Sequence, residues 1–207
     1  MLAADEFERT VASGFGSADT GGGWTVVGSG ASVGVGRGRM VLGQSGAQVT
    51  ATLPTVAGTA VDAVVDASID RAATGSGPAL SLVGRRVGSA DYRARVRWGA
   101  DGAVTLTTVR VSGGETTLRS VPVAGLTAAP GDVLRVRLQV TGTAPTTVRA
   151  RVWRAGATEP TTWAAESTDA TAGLQQAGGV GLVGYLPGSA TGTPLTVAVD
   201  HLSVVAP

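Results

Sequence analysis

The chain has 207 residues, 43% hydrophobic and only 15% charged, a balance that suits a globular protein with a sizeable core. All 16 basic residues are arginine; against 15 acids and one histidine they leave a formal net charge of +1, which excludes a global field that would draw in nucleic acid or acidic lipid. There is no cysteine, so disulfides, thiol nucleophiles and thiolate metal sites are excluded as well.

The first nine residues, Met1–Arg9, carry neither the basic region nor the apolar run of a signal peptide. The expectation is either a protein made without a leader or a domain of a larger secreted chain. Gly21-Gly22-Gly23 leads into Trp24-Thr25-Val26-Val27, and strands are predicted near 31–36, 38–43 and 47–53. Ala60–Asp70 alternates, with Val61, Ala63, Val65, Ala67 and Ile69 on one face and Asp62, Asp66 and Asp70 on the other. Pro78–Arg85 is another strand. Strand 90–98 turns through Ala100-Asp101-Gly102, a strong hairpin signal, into strand 103–111. Strands 116–123, 133–140 and 147–154 follow, each bounded by glycine or proline turns.

Residues 155–177 are the least strand-like, and one short helical turn is expected at Thr168–Gln176 with Thr168 or Asp169 as its cap. Strands near 179–186 and 195–205 close the chain. About a dozen short strands with almost no helical periodicity predict an all-β, two-sheet antiparallel sandwich or jelly roll, built as one domain over 1–207. No apolar run reaches the roughly 18 residues that a membrane-spanning helix needs.

Seven arginines alternate with apolar residues in three of these strands: Arg93, Arg95 and Arg97; Arg135 and Arg137; Arg149 and Arg151. A period of two gives each strand an apolar face and a guanidinium face. Three readings of this arginine face stay open. It is an ordinary wet face partnered by Asp62, Asp66 and Asp70; or a contact for an acidic polymer or protein; or a sugar site with Trp153, on the arginine side of its strand, as stacking platform. Single-stranded nucleic acid is rejected, because it wants several aromatics between the basic residues and only Trp153 qualifies.

Catalytic signatures are absent. His201 is the only histidine and no Gly-x-Ser-x-Gly elbow accompanies it. Glycoside hydrolysis needs two carboxyl groups about 5–9 Å apart; Glu6 and Glu8 share a face only if residues 4–9 are extended. The segment Gly28–Gly36 lacks the helix and the Lys-Ser/Thr pair of a phosphate loop. Asp5, Glu6 and Asp200 lie in the first and last strands. Jelly-roll termini run side by side, so these three are the candidate ligands of a structural Ca²⁺; no cofactor is required.

Asp5-Glu6-Phe7-Glu8-Arg9-Thr10, Gly14-Phe15-Gly16 and Ala18-Asp19-Thr20-Gly21-Gly22-Gly23-Trp24, with Gly181–Leu186 and Val199–Val204, form a pattern spanning nearly the whole chain. It resembles a concanavalin A-like lectin/glucanase module of actinobacteriophage virion proteins (minor tail or decoration) and actinobacterial secreted proteins. Phe15 stands where the module usually has Trp, and His201 where a second Asp is usual, which weakens the calcium idea at Asp200. The resemblance implies binding or display rather than catalysis. The leading expectation is therefore a non-enzymatic structural protein on a virion surface. It would contact other virion proteins or copies of itself, and host-surface polysaccharide. The alternative is a carbohydrate-binding module of a secreted, extracellular protein; a sandwich-fold glycosidase or lyase would require clustered carboxylates.

Overall fold

The computed structural model describes all residues from Met1 to Pro207. The first strands are β1 (Ala3–Asp5), β2 (Thr25–Val27), β3 (Ala31–Val33), β4 (Gly38–Leu42) and β5 (Gln48–Gly58). The middle of the chain supplies β6 (Val61–Ile69), β7 (Ala79–Val87), β8 (Ala90–Trp98), β9 (Ala103–Val111) and β10 (Glu115–Thr127). Then come β11 (Leu134–Thr141), β12 (Thr146–Arg154), β13 (Ala165–Asp169), β14 (Gly178–Tyr185) and β15 (Leu195–Val205). They form two antiparallel sheets packed face to face, a jelly-roll sandwich. The eight-stranded sheet has the order β13-β12-β11-β6-β15-β4-β3, with β1 paired to β15; the seven-stranded sheet has the order β10-β9-β8-β7-β14-β5-β2. No helix is long and apolar enough to cross a membrane.

The alternating residues face one another across the two layers. Tyr92, Ala94, Val96 and Trp98 of β8 lie inside with Leu134, Val136, Leu138 and Val140 of β11 and Val148, Ala150 and Val152 of β12, in one core of 45 buried residues. Burying a leucine such as Leu138 contributes about 1.5–3 kcal/mol, which outweighs the weak intrinsic preference of any one residue for strand. Gly77 fits its turn because a Cβ there would lie 1.9 Å from the Trp98 carbonyl oxygen.

Two segments differ from the sequence expectation. Residues 165–169 form a strand, β13, whose Thr168 and Asp169 pair with Thr147 and Thr146 instead of capping a helix. The helical turn is a single 3₁₀ turn at Ala172–Leu174, with Thr171 at its N-cap. The inward positions Ala165, Ser167 and Asp169 include only one apolar residue, so the sequence carries almost no apolar alternation and the strand owes its conformation to the pairing with β12.

The aromatic residues of the N-terminal pattern join the core of the sandwich. Asp5 is fully buried, and its carboxylate accepts from the Phe7 amide at 2.9 Å, Trp24 Nε1 at 2.7 Å, and Arg9 Nη1 and Nη2 at 2.6 and 2.8 Å. Arg9 Nε also donates to the Phe15 carbonyl. Phe7, Phe15 and Trp24 pack with centroids 5.5–6.3 Å apart. A positive φ of 52° at Phe7 ends the extended run, so Glu6 and Glu8 are not members of one regular strand face.

Candidate functional site

The structure divides the arginines between two opposite surfaces. Arg93, Arg95 and Arg97 lie on β8, so they cover the outside of the seven-stranded sheet; Arg135, Arg137, Arg149 and Arg151 lie on β11 and β12, outside the eight-stranded sheet. The expected single arginine face is thus corrected to two. Alternation distinguishes inward from outward but is silent on which layer a strand joins.

On the first surface, Arg93 and Arg86 hold the fully buried Asp91 at 2.6 and 3.0 Å, and Arg95 holds Glu115 at 2.6 Å. Arg97 forms no ion pair. The second surface is a continuous lattice. Arg135 forks Asp66 at 2.6 and 2.7 Å, and Arg137 forks Asp62 at 2.8 and 2.7 Å. Arg137 and Arg151 share Glu159 at 2.8 and 2.6 Å, and Arg149 donates to Gln139, which donates to Asp62. Burial pushes the Asp62 carboxyl upward, but the hydrogen bonds from Arg137 and Gln139 outweigh it and hold the group below its ordinary range. The hydrogen bond to Asp62 drives the Arg137 guanidinium further above its already high value. Arg135 and Arg137 thus have the partners Asp66 and Asp62 of the first reading, whereas Arg149 and Arg151 take Gln139 and Glu159 and Asp70 takes no part.

Two tryptophans lie on this surface. Trp153 retains only 7% exposure, which corrects its expected role as an open stacking platform, although it is among the residues lining a hollow. Trp163, which the periodicity did not single out, stacks on the guanidinium groups of Arg151, Arg149 and Arg137 at 4.3, 4.8 and 5.9 Å. Its only sequence signal is a tryptophan in the turn-rich run Glu159-Pro160-Thr161-Thr162-Trp163, just after the last arginine strand.

Beside the lattice, three adjoining hollows of about 290, 510 and 470 Å³ form a groove across β4, β15, β6 and β11. Arg37 and Arg39 line one end, without carboxylate partners. Asp66, Asp200 and His201 line the middle, and Trp153, Arg135 and Glu6 the other end. Burial raises the Asp200 carboxyl above its ordinary value, and the nearby Glu6 charge adds to the rise; the His201 amide and imidazole and Arg37 act the other way.

The metal-ligand expectation changes here. Asp5 leaves the set, because its oxygens already hold four hydrogen bonds and its side chain has no exposed surface. Of the expected calcium set Asp5, Glu6 and Asp200, Asp5 is therefore committed to the protein's own donors. Glu6 and Asp200 converge instead with His201, one ligand atom of each lying within 4.8 Å of the others.

No family model matches this sequence, and no curated protein matches it. Solved structures do. An alginate lyase, Aly36B, in complex with an alginate trisaccharide is 12% identical, with 99% of this chain and 98% of that one covered at a TM-score of 0.65. The carbohydrate-binding module CBM66 from Bacillus subtilis is 13% identical, with 88% and 95% covered at 0.59. The carbohydrate recognition domain of Emp46p is 12% identical, with 87% of each chain covered at 0.58. The fold is the jelly-roll sandwich these proteins share. Identities this low carry the architecture and no residue-level role.

Proposed function

We propose that this chain is a non-catalytic carbohydrate-binding module whose ligand lies in the groove outside the eight-stranded sheet. The observation that carries the reading is the groove itself. It is open, crosses four strands, and presents unpaired donors at Arg37 and Arg39, acceptors at Asp200 and Glu6, and Trp153 among its lining residues. The lining is rich in polar side chains, which suits a hydroxyl-rich ligand held by hydrogen bonds. Two of the similar folds are named for carbohydrate binding or recognition, and a third was solved with a bound trisaccharide.

Non-catalysis is supported by the commitment of two of the groove's acids to arginine, although Glu6, Asp200 and His201 are not held in that way. Asp66 is forked by Arg135, and Glu159 is shared by Arg137 and Arg151, so the oxygens of both are occupied by guanidinium groups. Tyr92 is buried in the core and Tyr185 belongs to the other sheet, which leaves no phenol beside His201. The setting, an actinobacteriophage virion surface or a secreted protein, rests on the sequence resemblance.

The test is affinity electrophoresis through a panel of neutral and acidic polysaccharides. Retardation by at least one polymer, lost when Arg37→Ala and Arg39→Ala are combined, supports the reading. No retardation by any polymer, or retardation unchanged in the double variant, overturns it.

A further inference from the structure

A bulge in the last strand turns two consecutive polar residues to the same side. Asp200 pairs with Asp66 of β6, but Ser203 pairs with Val64, so β15 advances three residues while β6 advances two. Val199, Leu202 and Val204 stay in the core. The extra residue is His201, held at φ 48°, a region that non-glycine residues seldom occupy. Asp200 and His201 therefore both face the groove, where a regular strand would have sent one of them inward.

The N-terminal strand brings the third group. β1 pairs with β15 through Ala3 and Val204, Ala4 and Ser203, and Asp5 and Leu202. One step further along this register sets Glu6 beside His201, and Glu6 Oε2 contacts His201 Nδ1 directly. His201 Nε2 lies 3.9 Å from Asp200 Oδ2.

The charges around this trio are unlike those of the rest of the sheet. Asp62, Asp66 and Glu159 each take an arginine at 2.6–2.8 Å. Glu6 and Asp200 have no guanidinium ion partner; the one group between them is an imidazole. The two carboxylates and the imidazole lie at the border of two hollows, both lined by His201, with Arg37 on the wall of one and Arg135 on the wall of the other.

We propose that Glu6, Asp200 and His201 bind a divalent first-row transition metal ion, of which zinc is the natural probe. One imidazole nitrogen and two carboxylate oxygens are a donor set that suits zinc with an open fourth position, whereas calcium wants six to eight oxygens. The ion would take the lone pair of one ring nitrogen of His201, the other nitrogen keeping its proton, and its open position would border the groove. The inference stands without any glycan bound there.

The experiment titrates zinc chloride into the untagged full chain, followed by calorimetry and by the imidazole resonances of His201, the chain's one histidine. Expected is saturable binding of one zinc per chain that shifts those resonances, with affinity reduced about tenfold or more in Glu6→Gln, Asp200→Asn and His201→Asn. The exposed Glu6→Gln keeps the comparison available if a variant in the bulge fails to fold. Unmoved resonances, zinc affinity unchanged in Glu6→Gln, or equal saturation by calcium overturns the proposal.

Discussion

Tyr92 of the seven-stranded sheet donates its phenol proton to Asp169 of the eight-stranded sheet at 2.7 Å, and so ties the two layers together at their β9–β13 side. Burial is the main reason that the Tyr92 hydroxyl is pushed up to about 12, with the Asp169 hydrogen bond second. The unfolded chain releases this proton near pH 10, while the folded chain keeps it to about 12. Between those values the folded state binds more protons, so stability falls as pH rises. Tyr92→Phe is expected to cost about 1–2 kcal/mol at pH 7 and to flatten the stability loss between pH 10 and 12. Urea midpoints across that range measure both effects; an unchanged alkaline slope would count against Tyr92 as its source.

Arg137→Ala is expected to lower stability and to make it less dependent on the ionised state of Asp62. The variant leaves Asp62, 5% exposed, with Gln139 as its remaining side-chain donor, and releases one of the two partners of Glu159. Arg137 is itself 27% exposed, so water screens the pair and holds the loss to about 1–3 kcal/mol. The Asp62 carboxyl lies below its ordinary value in the folded chain, so its contribution is complete above the unfolded range near pH 4 and disappears as pH falls through the folded value. Acid unfolding of Arg137→Ala should therefore be shallower than that of the parent chain. Equal slopes would show that Asp62 does not draw on Arg137.

Trp163→Ala removes the ring that covers Arg151 and Arg149. The expected loss is about 1 kcal/mol, the scale of a partly exposed cation–π contact. Retention on a heparin column should not rise, because Arg137 and Arg151 still share Glu159 and Arg135 still forks Asp66. Stronger heparin retention would mean that the tryptophan masks a polyanion surface.

What was legible in the sequence follows from which interactions are local. The faces of β6, β8, β11 and β12 read correctly from Val61–Ile69, Tyr92–Trp98, Leu134–Val140 and Val148–Val152, because pleating alone sets their alternation. The pairing of Arg135 and Arg137 with Asp66 and Asp62 was one of the readings that the sequence left open. The division of arginines between sheets was not legible, since it depends on β8 and β11 joining different layers, a long-range choice. Arg85 was invisible for a similar reason. It closes a strand in the sequence, yet a register shift between Gly84 and Val87 and a φ of 49° turn it fully inside. There it donates to Thr146 and to the carbonyls of Thr59, Gly142 and Leu174, with no carboxylate partner. The β15 bulge, by contrast, left a trace. In Val197-Ala198-Val199-Asp200-His201-Leu202-Ser203-Val204 the alternation skips one residue, and that residue is His201.

Asp5 offers the sharpest separation of a structural acid from a metal ligand. Its carboxylate is the acceptor for an amide, an indole and both terminal nitrogens of Arg9. Asp5→Ala leaves a buried indole and a partly buried guanidinium without that acceptor, beside the Phe7–Phe15–Trp24 cluster. The expected cost is about 3–5 kcal/mol, the scale seen when one member of a buried pair is removed. Asp5→Asn keeps the volume but turns one acceptor into a donor facing donors, so it should recover less than half of that loss. Urea unfolding at constant slope measures both variants. Millimolar calcium should leave the midpoint of the parent chain in place, because no oxygen of Asp5 is free to take an ion. A calcium-dependent rise in the parent that vanishes in Asp5→Asn would return Asp5 to the role of ligand.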